Sequence, residues 1–237
     1  MLRSLAELNL IGRRVDNTCK AIYDDLFHAY GPQHWWPAET PFEVIIGAVL
    51  TQNTAWTNVE KALGNLRSED ALELDRLIEM PEEQLAGLIR PAGYFNVKAA
   101  RLKNLCRFIA EQGGVEALDN HPTEPLRHDL LGVNGVGPET ADDILLYAYH
   151  RPVFVIDAYT RRVFSRMGLI TGDESYENLR RTFQDSLGPE VGIFNEYHAL
   201  IVHHAKYYCN HHAKYYCNRR PQCEVCCLRK ICEQVGI

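Results

Sequence analysis

At 237 residues, 46% of them hydrophobic and 24% charged, the chain has the make-up of a globular protein with room for one large domain or two small ones. Its longest strongly apolar run, Val44-Ile45-Ile46-Gly47-Ala48-Val49-Leu50, is far too short to span a bilayer, so no membrane partner is expected. The formal net charge of −6 speaks against a general polyanion binder, yet Arg161, Arg162, Arg219, Arg220, Arg229 and Lys230 fall in two short clusters that can still make a local basic face.

The first residues, MLRSLAELNLIGRRVD, carry charges throughout and read as an amphipathic helix, not a secretory leader, and a cytoplasmic protein is expected. Helical apolar spacing then recurs over 6–30, 41–67, 71–78, 82–89, 97–111, 124–131, 139–149, 158–167, 176–187 and 191–208. Gly and Pro punctuate the junctions, as in Gly31-Pro32, Arg90-Pro91-Ala92-Gly93 and Arg151-Pro152. Only Val153-Phe154-Val155-Ile156 resembles a strand, and four residues cannot make a sheet. The predicted architecture is all-α.

Between the helices predicted over 124–131 and 139–149 lies Leu131-Gly132-Val133-Asn134-Gly135-Val136-Gly137-Pro138-Glu139-Thr140-Ala141. Glycines in such a turn permit positive φ and let the backbone approach a ligand closely. Pro138 suits the first turn of the next helix, where its missing N–H costs little. An ordinary helix–helix turn would account for Gly-Val-Gly alone, but the full pattern favours a helix-hairpin-helix whose amides can hold a phosphate without reading sequence. After the apolar stretch comes Asp157, placed either to cap a helix or to act as a fixed carboxylate, with Arg161 on the helix that follows.

Two features mark the end of the chain. HHAKYYCN occurs twice in tandem, at 203–210 and 211–218. Eight extra residues would lengthen a helix by about 12 Å and leave its register roughly 80° out of phase. Cys217, Cys223, Cys226 and Cys232 then follow as C-x5-C-x2-C-x5-C. A reducing compartment disfavours disulfides, and thiolates at this density suit either an iron–sulfur cluster or a four-cysteine zinc site. The duplication also offers Cys209 as first ligand. Compactness of the loop favours Cys217, and Cys227, adjacent to Cys226, is read as a bystander.

Together the hairpin, Val155-Ile156-Asp157-Ala158-Tyr159 and the cysteine loop resemble the endonuclease III superfamily of DNA glycosylases. Gly47-Ala48-Val49-Leu50-Thr51-Gln52-Asn53-Thr54 and Gly93-Tyr94-Phe95-Asn96-Val97-Lys98-Ala99 match further stretches of it, so the likeness runs from about residue 35 to the end. The resemblance implies a six-helix barrel module over 37–150, containing the helix-hairpin-helix at about 124–149. It also implies a second module built from the N-terminal helix (1–36) and the C-terminal part (151–237), carrying a [4Fe-4S] cluster in the 217–232 loop. This chain departs from the family's common cysteine pattern, with five residues, not six, between the first two cysteines.

The resemblance makes Asp157 the catalytic carboxylate, stabilising the oxocarbenium character that builds on the sugar when an N-glycosidic bond breaks. It places Gly135, Val136, Gly137, Thr140 and Arg161, together with Arg219 and Arg220 of the cysteine loop, on DNA. Glu139 stands where bifunctional members carry a lysine that forms a Schiff base, and a carboxylate cannot form an imine. No lysine lies between Lys103 and Lys206. The expectation is therefore a monofunctional glycosylase, with Glu139 in its catalytic site.

All three tryptophans fall in His34-Trp35-Trp36-Pro37 and Thr54-Ala55-Trp56. Core packing explains most tryptophans, but a consecutive pair ahead of a helix cannot easily bury both rings in one core. Indole faces can hold a flipped base, and an electron-poor alkylated purine stacks on them well. Trp35, Trp36, Pro37 and Trp56, with Glu139, resemble the 3-methyladenine branch of the superfamily. Gln52 and Lys206 complete the expected pocket, Lys206 sharing its claim with Lys214 of the second copy. The expected partner is double-stranded DNA with a damaged base, bound by a monomer. Two alternatives remain: a bifunctional glycosylase/lyase on oxidised pyrimidines, and a non-catalytic binder of DNA structure.

Overall fold

The computed structural model describes residues 5–209 and 221–236, and among them it contains twelve α-helices and no strand. The chain divides into two compact units. One runs from Trp36 to Arg151, and the other joins the stretch ending at Trp35 to the stretch beginning at Pro152. No helix among the described residues is long and apolar enough to cross a membrane.

Helix α1 (Leu5–Tyr30) belongs to the second unit. The first unit is organised around α2 (Pro41–Leu50), in which every residue from Phe42 to Leu50 is buried. A helix that is apolar nearly all round must lie at the centre of its unit. Pro41 occupies the first turn, and the Thr40 hydroxyl caps the end by accepting the Glu43 amide at 3.2 Å. Around α2 come α3 (Trp56–Ser68), α4 (Leu74–Glu79), α5 (Glu82–Leu88), α6 (Phe95–Glu111), α7 (Val115–Leu118), α8 (Thr123–Gly132) and α9 (Pro138–Asp143), the last continued by a π-helical stretch at Ile144–Ala148.

The single helix predicted over 41–67 is two helices. Helical apolar spacing recurs on both sides of the four polar residues Thr51 to Thr54, and tertiary bonds hold the turn between them. The Lys98 ammonium, 1% exposed, donates to the Leu50 carbonyl at 2.8 Å, to the Thr54 hydroxyl at 2.6 Å and to the Ala92 carbonyl at 2.9 Å. Asn53 takes the left-handed conformation (φ 52°), which asparagine tolerates better than most residues. Burial, and then the neighbouring Arg101 cation, bring the Lys98 pKa down to about 8.

Helices α8 and α9 are clamped by a buried bidentate pair. Arg127 Nε lies 2.5 Å from Asp142 Oδ1, and Nη2 lies 3.1 Å from Oδ2. Such a pair fixes which faces of two helices meet more than it adds net stability.

The second unit packs α1 against α11 (Tyr176–Leu187) and α12 (Val191–Tyr207), and α12 against α10 (Ala158–Arg166). Its core is aromatic: Phe154 stacks on Phe183 at 4.6 Å, and Phe194 and Tyr197 meet Phe154 edge-on. Residues 153–156 are extended and buried without any sheet partner. Side chains satisfy their amides instead: Phe154 N donates to Gln184 Oε1 at 3.1 Å and Ile156 N to the Tyr176 hydroxyl at 3.3 Å. The strand-like sequence thus threads an aromatic core and delivers Asp157 to the start of α10.

Candidate functional site

In the first unit the hairpin turn Val133–Gly137 sits beside the α2–α3 turn. Gly135 has φ 101°, and its α-carbon lies against the aliphatic stem of Arg101, where a β-carbon would collide. Gly137 has an ordinary φ of −96° and open space around it. The two glycines therefore carry different demands. Gly135→Ala is expected to cost about 1–3 kcal/mol through backbone strain and to weaken binding to all DNA alike, whereas Gly137→Ala leaves the unfolding midpoint nearly unchanged. Denaturant melts of the two variants check this.

The Gln52 carboxamide joins the two turns. Its Nε2 donates to the Gly135 carbonyl at 3.1 Å and to the Thr140 hydroxyl at 2.9 Å, while the Arg101 guanidinium donates to its Oε1. Val136 and Thr140 are buried, and Glu139 is exposed on the first turn of α9. An open groove of about 420 Å³ runs along these elements, lined by Thr51, Gln52, Asn53, Arg101, Gly137 and Glu139 among others.

Trp36 and Trp56 lie in the same unit, half-buried and edge-to-face at 5.2 Å, with Tyr147 at 5.0 Å from Trp36. Gly47 makes this possible, because the Trp36 ring rests where a larger residue on α2 would stand. Pro37 is exposed beside them.

The second unit holds Asp157, 7% exposed, as the N-cap of α10: its Oδ1 accepts the Thr160 amide at 2.7 Å. His198 of α12, itself 5% exposed, brings Nε2 to 3.5 Å from Asp157 Oδ2. Burial alone would raise the Asp157 pKa, but the imidazole and the Thr160 amide outweigh it and hold the carboxyl below the usual range. The group is a carboxylate at neutral pH. The Lys206 ammonium lies over the rings of Trp35, at 5.8 Å, and Tyr159, at 5.6 Å. Burial lowers the Lys206 pKa, and the nearby Asp157 carboxylate opposes that shift. Arg161 donates to the Gly172 and Glu174 carbonyls at 3.3 and 2.8 Å, bracing the loop between α10 and α11.

Just past the C-terminal end of α12, Cys209 joins Cys223, Cys226 and Cys232 in lining one small cavity together with Val163, Arg166, Met167 and Leu228. Arg166 Nη1 donates to the Cys209 carbonyl at 2.7 Å and approaches its Sγ at 3.2 Å. Gln222 N donates to the Tyr208 carbonyl at 2.9 Å, which returns the chain to the end of α12. Cys227 does not line that cavity; its Sγ lies 3.5 Å from the Tyr30 hydroxyl. No disulfide forms among the described cysteines. Cys217, Arg219, Arg220 and Lys214 lie outside the described residues.

Two functional contacts escaped the sequence reading. His198 looked like any polar residue of an apolar helix; its one signal is that it lies eight residues before Lys206, a little over two helical turns. Arg101 follows the matched stretch Gly93–Ala99 by two positions and carries no motif of its own.

Comparison with known proteins gives a consistent set. Residues 46–189 match the family model described as HhH-GPD superfamily base excision DNA repair protein. The chain is 47% identical to a Methanocaldococcus jannaschii protein named "Putative DNA repair glycosylase MJ1434", over 89% of this chain and 94% of that one. It is 29% identical to endonuclease III of Thermotoga maritima, over 81% and 83% of the two chains. Among solved structures, the H. pylori 3-methyladenine DNA glycosylase MagIII bound to 1,N6-ethenoadenine superposes with a TM-score of 0.69 at 28% identity, covering 82% of this chain and 97% of that one. A non-covalent endonuclease III–DNA complex superposes with a TM-score of 0.77 at 23% identity, covering 92% and 95%, and shows the shared fold.

Proposed function

This chain belongs to the HhH-GPD superfamily of base excision DNA repair proteins and is a DNA N-glycosylase, and we propose that it releases alkylated purines with water and leaves the DNA strand intact. The observation that carries the hydrolytic reading is Glu139, a carboxylate on the first turn of α9 at the edge of the hairpin groove, where a lyase would need an amine. Asp157 supplies the charge. Buried, ionised and fixed on α10, it stabilises a developing oxocarbenium ion and can orient or deprotonate the attacking water. The half-buried rings of Trp36 and Trp56 in one unit, and separately that of Trp35 in the other, each offer a π face to a cationic or electron-poor base. The likeness to a 3-methyladenine DNA glycosylase solved with 1,N6-ethenoadenine supports this substrate class.

Incubation with methylated duplex DNA, followed by identification of the freed bases, tests this. Release of 3-methyladenine with no strand cleavage is expected, and release of oxidised pyrimidines alone would contradict it. A second reading has one observation in its favour: Lys206 carries an amine with a lowered pKa next to Asp157, and such an amine can form a Schiff base. Borohydride would then trap a covalent adduct with an abasic strand. We expect none, because the rings of Trp35 and Tyr159 already engage the Lys206 amine and Glu139 stands at the hairpin position where a lyase needs one.

The family resemblance implies a [4Fe-4S] cluster, and the residues present fit one. Four thiols line a single cavity with apolar walls and one cation, Arg166, to offset their charge. No three of the described His, Cys, Asp or Glu side chains converge as ligands of a single metal ion. Cysteine thiolates are the ligands such a cluster would take, and the donor set here is four of them. Cys209, Cys223, Cys226 and Cys232 would hold it. Bound there, the cluster would cross-link the end of α12 to the C-terminal loop as a structural element.

A further inference from the structure

We propose that His198 is a positioning residue for base excision, holding the second oxygen of Asp157 from α12 so that the carboxylate keeps one orientation. This rests on the reading of Asp157 as the catalytic carboxylate. The N-cap bond from Thr160 engages only Oδ1, and one hydrogen bond leaves the carboxyl plane free to turn about its last torsion. His198 Nε2 stands 3.5 Å from Oδ2, on a different helix, so the two anchors together define the plane. Both residues are almost wholly buried, where a polar contact is stronger than in water and an unmatched carboxylate is costly. The titratable groups that face Asp157 are His198 and Lys206, both from α12. Of these, Lys206 also spans the Trp35 and Tyr159 rings, which leaves His198 as the partner dedicated to the carboxylate.

The chemistry follows from the geometry. The carboxylate must be ionised and must aim a lone pair at the sugar or at the attacking water. Loss of the imidazole would let the plane rotate and would leave burial unopposed by its largest counterweight. A histidine that merely filled core space would affect folding and nothing else.

The test is the titration of the Asp157 carboxyl, followed by 13C NMR on protein labelled at aspartate and assigned by the missing signal in Asp157→Asn. In His198→Asn the midpoint is expected to rise relative to wild type, and in His198→Gln, which can still donate to Oδ2, it should rise less. On methylated duplex DNA, kcat of His198→Asn should fall roughly ten- to a hundredfold, the scale on which losing the partner that orients a metal ligand acts. The acid limb of kcat/KM should move to higher pH, because Asp157 must lose its proton to act. An unmoved Asp157 titration in folded His198→Asn overturns the proposal. Should Asp157→Asn release bases at the wild-type rate, the reading of Asp157 fails instead, and the NMR result still decides whether His198 holds it.

Discussion

Asp157→Asn is expected to lower base release by roughly a hundred- to a thousandfold, the scale on which loss of one preorganised electrostatic stabiliser acts, while affinity for DNA stays nearly intact. Asparagine is as good an N-cap as aspartate, and its carbonyl oxygen can accept the Thr160 amide in the same place. The substitution therefore removes the charge and spares the cap. Because the charge is opposed to a cation present only near the transition state, kcat should fall far more than affinity. Asp157→Ala separates the two roles, since it also gives up the cap and adds about 1 kcal/mol of destabilisation. Single-turnover release from methylated DNA, binding to the same duplex and a thermal melt give the three readouts. Undiminished release by the asparagine protein would remove Asp157 from the mechanism, and an unfolded asparagine protein would make its buried charge beside His198 a structural element.

How much of this was legible in the sequence depended on whether the cause was local. The hairpin could be read because its glycines and Pro138 act on their own backbone, although only the coordinates show that Gly135 bears the steric demand and Gly137 does not. The all-α class followed from spacing that repeats along the chain. The break at 51–55 leaves only a faint local trace, four polar residues in a row from Thr51 to Thr54, because the bonds that hold it come from Lys98 and the Ala92 carbonyl, some forty residues further on. Residues 153–156 look like a strand for a sound reason: they are buried on both sides and extended. What replaces the missing sheet is a glutamine and a tyrosine from α11. The pairing of Arg127 with Asp142 and of His198 with Asp157 likewise joins residues with no local signature of contact. The two adjacent tryptophans did announce themselves, since no single core takes both: each is half-buried, and they fall in different units.

Cys209→Ser is expected to abolish the visible charge-transfer absorbance and the iron content of the purified protein, and Cys217→Ser to leave both in place. The tandem copies make the two cysteines identical in local sequence, so spacing alone must choose between five and thirteen residues before Cys223. Compactness favours Cys217, but its energetic weight is small. Closing a flexible loop of thirteen residues in place of five costs only about 0.8 kcal/mol more, since the penalty grows with the logarithm of length. Against that stands placement. Cys209 follows α12 directly and lines the same cavity as Cys223, Cys226 and Cys232. Arg166 holds its carbonyl, and the Gln222 amide bonds the Tyr208 carbonyl, so the two ends of the intervening segment are already together. A cluster there needs no rearrangement of α12 to gain its first thiolate. The same register selects Lys206 over Lys214, because Lys206 stands three residues before Cys209 on the helix that carries His198. Serine is nearly isosteric with cysteine, and a circular dichroism spectrum of each variant separates loss of the ligand from loss of the fold. Iron retained in Cys209→Ser and lost in Cys217→Ser would reverse the assignment and, with it, the choice between the two lysines.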